Sequence, residues 1–214
     1  MTVIANFEEP MKLQFATIII LTLLLSVNYV QAQISLEDSV IIKVINGTIK
    51  LQQPDTLYDR NGKIKRIKES QPPEIILLNK TETFLFDPKV STLEMFNRNG
   101  LSLLDSVTYN DFISKNKKSI ILPKFESEQA LIHILTKDEL NNIFDRGGWE
   151  KYHRKYKYNP IVKVSRPGFN KNKDLAFIYY STTSGGLSGA GFYLILAKEN
   201  GKWITKEYRL DWIS

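Results

Sequence analysis

Residues 192 to 210 read F-Y-L-I-L-A-K-E-N-G-K-W-I-T-K-E-Y-R-L, two strand-favouring runs that meet at Asn200-Gly201. Asn-Gly tolerates the left-handed backbone of a two-residue hairpin, so the runs fold back as antiparallel neighbours. Two further runs precede them, Ile161 to Ser165 and Leu175 to Tyr180, with a turn at Pro167-Gly168. The spacing predicts a four-stranded antiparallel meander over 161–210.

Upstream, helix signals dominate. Ser35 is placed to cap a helix whose first turn holds Glu37 and Asp38 and whose apolar face is Ile41, Val44 and Ile45, ending at Gly47. Capping-box patterns at Ser91-Thr-Leu-Glu94 and Thr136-Lys-Asp-Glu139 open two more helices. Thr108 to Asp111 opens another, with Phe112 and Ile113 inward and Lys115, Lys117 and Lys118 at its end. Leu140, Ile143 and Phe144 face the core, Gly147-Gly148 breaks the chain, and Trp149 to Lys157 restarts as a helix closed by Asn159-Pro160.

Short strands are expected at Glu74–Asn79, Thr83–Phe86, Ser119–Leu122 and Ala130–Leu135. Residues 51–73 read as a polar excursion, a hairpin turning at Asn61-Gly62 with a solvated basic arm, Lys63 to Lys68. The expected class is α+β: a single domain over 33–214, with N-terminal helices and short strands packed with the C-terminal meander.

Residues 1–32 read as an extension and cleavable signal peptide. Lys12 supplies the positive start, Ala16 to Val27 the apolar run, and Val30-Gln-Ala32 the cleavage site, with the cut after Ala32. Glu8 and Glu9 oppose a positive n-region, which favours Met11 over Met1 as the start. The expected location is periplasmic or extracellular, with membrane contact only through the signal peptide during export. The chain has no cysteine, which closes off disulfides, thiol chemistry, Cys-ligated metal and a lipid-anchored N-terminus. Asn46-Gly-Thr48 and Asn79-Lys-Thr81 match the N-glycosylation pattern, which counts only where a transferase is present.

The formal net charge of +6 points to an anionic or carbohydrate-like envelope ligand, with no specific nucleic-acid role and no cofactor. W-E-K-Y-H-R-K-Y-K-Y, 149–158, is the candidate binding surface, because basic and aromatic residues interleave there. Trp149, Tyr152, His153 and Tyr156 also share one helix face, so they equally suit packing, with Lys151, Arg154 and Lys155 in water. His153 and His133 are the only histidines, and no zinc-type spacing is present. His133, in an apolar run, reads as a core or edge residue.

S-G-G-L-S-G-A-G, 184–191, holds four of the chain's 11 glycines. It misses the G-x-S-x-G elbow by Ala190, and a strand rather than a helix follows, which also removes a phosphate cradle. Gly185, Gly186, Gly189 and Gly191 are therefore read as a structural link between two meander strands, through positive φ, a bulge or close approach.

Trp149, Tyr152, Tyr156, Ser165-Arg-Pro-Gly-Phe-Asn170, Ala176, Gly185, Gly189, Gly191, Leu196, Lys198, Asn200-Gly-Lys-Trp203 and Trp212-Ile-Ser214 form a spaced pattern. Over residues 149–214 the chain resembles a family of uncharacterised exported proteins of Bacteroidetes-type bacteria. The resemblance implies cysteines in some relatives near the glycine-rich stretch, where this chain has Ser184 and Ser188, and a bacterial envelope location. The family has no assigned activity, so no catalytic residue carries over. A non-enzymatic binding or envelope-associated module is the leading expectation. The alternatives are a hydrolase built around His153 with a hydroxyl or carboxylate, and an interaction protein pairing through a sheet edge.

Overall fold

The computed structural model describes residues 36–47, 56–58, 63–67, 74–83, 92–125, 127 and 130–214. The signal peptide, the Ser35 cap, the Asn61-Gly62 turn and residues 84–86 of the expected Thr83–Phe86 strand lie outside these residues. The chain divides into two compact units, Met1–Asp38 and Ser39–Ser214, and the strands among the described residues lie in the second.

Helix α1 spans 36–47 and buries Val40, Ile41, Val44 and Ile45, the spacing its apolar residues require. Strands β1 (Thr56–Tyr58) and β2 (Ile64–Ile67) pair antiparallel as a separate two-stranded ribbon, bracketing the expected turn. The main sheet holds β3 (Glu74–Leu78), β4 (Leu131–Leu135), β5 (Ile161–Val164), β6 (Gly168–Phe169), β7 (Leu175–Gly185), β8 (Ser188–Glu199) and β9 (Lys202–Ile213). Its order is β4-β3-β5-β7-β8-β9, with β6 beside β7.

The meander β5-β7-β8-β9 is antiparallel throughout, as the turn signals require. Lys202 follows Asn200-Gly201, whose φ values of 49° and 78° are the left-handed pair of a tight hairpin. β3, by contrast, pairs parallel to both β4 and β5. Parallel strands need a long crossover, and α4 (Lys137–Asp145) with α5 (Gly148–Tyr156) supplies the one from β4 to β5. Ile75 to Leu78 are all buried, the unbroken apolar run of a strand covered on both faces.

Side chains alternate across the sheet, and each face has its own cover. On one face α2 (Leu93–Arg98) and α3 (Ser106–Lys115) pack Phe96, Leu101, Leu104 and Phe112 against Phe177, Tyr179, Tyr193 and Ile195. On the same face α4 and α5 pack Ile143 and Tyr152 against Ile76, Leu135 and Ile161. The opposite face meets α1 from Ser39 onward, where Trp203 Nε1 donates to Ser39 Oγ at 3.0 Å.

Three expectations need correction. Ser119–Leu122 is not a strand; only an isolated antiparallel bridge joins Lys80 and Ile121, because Pro123 stops the run and Leu122 is its only buried apolar residue, Ile120 and Ile121 being exposed. The third helix opens earlier than Thr108: its cap is Asp105, whose carboxylate accepts from Thr108 N at 2.7 Å, and Thr108 is buried in the first turn. In α2 the cap is Thr92 rather than Ser91, with its hydroxyl accepting from Met95 N at 3.2 Å. The box at Thr136 and Glu139 forms as the spacing predicts.

Candidate functional site

The break at Gly147-Gly148 aims α5. Their φ values of 155° and 55° turn the chain sharply between α4 and α5, and the second lies in the range that favours glycine. This turn brings Phe144 and Trp149 edge to face, with ring centroids 5.0 Å apart. Tyr152 lies at the centre of the helix–sheet contact, fully buried, with its hydroxyl donating to Asn159 O at 3.0 Å. Burial pushes its phenol well above the ordinary value of 10.0, so it stays a neutral donor. The Tyr156 ring packs against Tyr152 in a tilted arrangement, with centroids 5.1 Å apart.

The basic residues of this helix point outward, and each meets a partner on its own surface. Arg154 reaches Glu150, Lys151 donates to Asn142 O at 3.2 Å, and Lys155 lies over the Tyr156 ring. Of the five candidate binding residues, Trp149, Tyr152, His153 and Tyr156 share the inner face and Arg154 stands apart from them in water.

His153 binds a backbone group, not a hydroxyl. Its Nε2–H donates to the Ser184 carbonyl at 2.8 Å and clamps α5 to the β7–β8 hairpin. The Ser184 and Ser188 hydroxyls bond each other at 2.9 Å. His133 lies on edge strand β4, 3.9 Å from Glu74, whose same oxygen accepts from Asn159 Nδ2 at 3.0 Å. Among the described residues no group of three or more His, Asp or Glu could hold a metal ion. No described helix is long and apolar enough to cross a membrane.

The glycine stretch divides in two. Gly185 ends β7 and Gly186 forms the turn with Leu187, against the Trp149 ring. Gly189 and Gly191 stand inside β8, and none of the four has a left-handed φ. Their smallness serves close approach: a Cβ on Gly191 would overlap Trp212 Nε1 and Tyr179 Oη, and one on Gly189 would lie 3.1 Å from the far end of the same indole. The two glycines form a bed on which Trp212 rests, its Nε1–H donating to Tyr179 Oη at 2.7 Å. Ser184 is the extra residue where the β7–β8 register shifts between Thr183 and Gly185.

Ser165-Arg-Pro-Gly-Phe-Asn170 is held by α3 through contacts that spacing does not reveal. The buried Asn116 donates to Arg166 O at 2.9 Å and accepts from Arg166 N at 2.8 Å. Asp111 accepts from Phe169 N at 2.8 Å, and Lys115 Nζ donates to Pro167 O at 3.2 Å. Gly168 lies so close to the Phe112 backbone that any Cβ there would overlap it.

Between α4, α5 and the sheet a pocket of about 220 Å³ is open. Leu140, Phe144, Trp149 and Ile161 wall it, and Asn141, Lys163 and Thr183 supply its polar groups. Lys163 Nζ lies 3.3 Å from Glu82 Oε1, so the ammonium that lines the pocket is paired with a carboxylate just outside the lining. Sequence reasoning found Trp149 and missed Asn141, Lys163 and Thr183, which come from three separate elements, and Glu82, the partner of Lys163, from a fourth segment.

The sheet ends in β9, whose pairing shifts at two places, around Lys206 and Asp211, with Lys206 paired to Glu199. Bulges and an edge lysine are devices that blunt strand addition. No family model matches the chain, and neither a curated protein nor a solved structure matches it.

Proposed function

We propose that this chain is an exported, non-enzymatic binding module of a bacterial envelope or extracellular space, with its ligand seat in the pocket between α4, α5 and β5. The pocket itself carries the reading. Its aromatic and aliphatic walls with a few convergent polar groups are the composition of a small-ligand seat. The groups a hydrolase would need are engaged elsewhere: His153 Nε2 on a carbonyl, Ser184 and Ser188 on each other. A serine nucleophile needs the imidazole on its hydroxyl, and here the imidazole has taken the backbone of that residue. The resemblance to exported proteins of Bacteroidetes-type bacteria supports the envelope location, as does the signal-like N-terminus.

Three measurements test this. Fractionation of cells expressing the chain is expected to place the processed protein outside the cytoplasm. Incubation of purified protein with chromogenic esters and glycosides is expected to give no turnover above buffer. His153→Gln is expected to cost about 1 kcal/mol of stability, the worth of one hydrogen bond, and nothing else. Turnover that disappears in His153→Gln would establish the hydrolase instead.

A further inference from the structure

The cross-strand register places the pocket beside a second aromatic surface. Lys163, Ser181, Gly191 and Trp212 stand opposite one another across β5, β7, β8 and β9. Ile161, Thr183 and Gly189 form the next row on the same face. Lys163, Ile161 and Thr183 line the pocket; Gly189 and Gly191 are the bed of Trp212. Because the indole folds back over β8 toward Tyr179, it reaches within about two strand spacings, roughly 10 Å, of Lys163. The indole spans the two glycines, with Nε1 and Cδ1 at Gly191 and Cζ3 and Cη2 at Gly189, and Trp212 remains partly exposed.

The charges on this strip narrow the ligand class. Lys163 is already paired with Glu82, and both side chains remain about one-third exposed, at 36% and 30%. An anion reaching Lys163 meets the Glu82 carboxylate, and a cation reaching Glu82 meets the ammonium. A neutral hydroxyl satisfies both, accepting from one and donating to the other. Asp211, beside Trp212, lies within electrostatic reach of Arg209, so this end of the strip also carries opposed charges rather than a net cation. Aromatic faces in turn suit rings with apolar C–H surfaces and polar edges.

We propose that the pocket and the Trp212 surface form one elongated site for an uncharged, polyhydroxylated ring ligand, a short neutral oligosaccharide. The Trp149 pocket takes one sugar ring, Lys163, Glu82 and Thr183 bind hydroxyls at the centre, and Trp212 stacks a later ring. The proposal rests on the binding-module reading and names its ligand.

The test titrates purified protein with three probe sets followed by ligand-observed NMR. These are neutral malto-, cello- and N-acetylglucosamine oligomers of increasing length, uronate oligomers of matching length, and indole-3-acetate as an aromatic carboxylate. The expected result is binding of at least one neutral series, tighter with length, and weaker or absent binding of the uronates. Trp212→Phe is expected to weaken the longer neutral ligands about ten-fold, the worth of one aromatic contact, and to spare the shortest. Lys163→Met is expected to weaken long and short alike; circular dichroism and melting confirm that both variants fold.

Equal or preferred binding of uronates overturns the neutral class, and affinity independent of both length and Trp212 overturns the elongated site. Binding of indole-3-acetate alone, lost in Trp149→Ala, overturns the oligosaccharide proposal while leaving the binding module standing. No binding by any probe overturns the module as well.

Discussion

Gly191 and Trp212 explain each other. The glycine density of 184–191 was legible in sequence, and so was the exclusion of a nucleophile elbow. The guest that requires it was not, because Trp212 reaches β8 only once β9 has folded alongside. Gly191→Ala forces the indole and the Tyr179 phenol to move, and overpacking of this kind is expected to cost about 2–3 kcal/mol in urea unfolding. Gly185→Ala, whose Cβ would sit an ordinary 3.6 Å from Ser188, is expected to cost under about 0.5 kcal/mol. Placing Gly191→Ala in a Trp212→Ala background should remove the part of the penalty due to the indole and leave the part due to the Tyr179 hydroxyl; a full penalty there would mean that the glycine does not serve the indole.

Tyr152 follows the same logic. Its helix position was legible as an inward face, whereas its bond to Asn159 O depends on how α5 ends. Tyr152, Tyr179, Tyr180 and Tyr193 all have phenols raised by burial from 10.0. A raised folded value contributes stability that is whole below the unfolded value and is lost as pH climbs through the folded one. Melting temperature is therefore expected to fall steeply above about pH 10, less steeply in Tyr152→Phe, at a neutral-pH cost of about 1 kcal/mol.

Among the elements, reciprocal caps were readable and simple caps were not. Thr136 and Glu139 form a box because each satisfies an amide of the other's turn, a pattern that spacing alone specifies. Asp105 and Thr92 each cap through one bond, so neighbouring hydroxyls looked equally suitable. Glu139 is held below the ordinary carboxylate range, chiefly by the bond from the Thr136 backbone amide and then by the Thr136 hydroxyl. A lowered value contributes stability present above the unfolded value and lost as pH falls through the folded one. The native protein is thus expected to lose more stability than Glu139→Gln on acidification below about pH 4, read as melting temperature against pH.

Strand partners were legible only where a turn dictated them. Asn200-Gly201 fixed β8 on β9, but nothing local in E-I-I-L-L-N says that β3 lies parallel between β4 and β5. Parallel pairing is set by where the crossover helices pack, a property of the assembled face.

For the molecule as a whole, three layers of constraint meet at the β7–β8 hairpin: His153 from α5, Trp212 from β9 and the serine pair within it. The Ser184 and Ser188 hydroxyls meet at 2.9 Å, so the two side chains are directed at each other. Ser184→Cys with Ser188→Cys is expected to oxidise spontaneously and stabilise by about 2 kcal/mol, the loop being short. Mass spectrometry and melting with and without reductant check this, and free thiols after air oxidation would place the two positions further apart.

The pocket was the least legible feature. Trp149 stood out as an aromatic in a basic run, but the residues that give the pocket its chemistry are single polar positions on α4, β5 and β7, with the partner of Lys163 on the loop after β3. Only the sheet register collects them. The basic run that drew attention faces the other way.

The three tryptophans allow the central claim to be read directly. In a titration of 15N-labelled protein with a neutral oligosaccharide, the three indole N–H signals report separate places. Trp149 lines the pocket, Trp212 lies on the glycine bed, and Trp203 is bonded to Ser39 on the opposite face. The prediction is that the Trp149 and Trp212 signals shift together, at one affinity, while the Trp203 signal stays. A titration that moves Trp203 and leaves Trp149 and Trp212 in place would contradict the site described here.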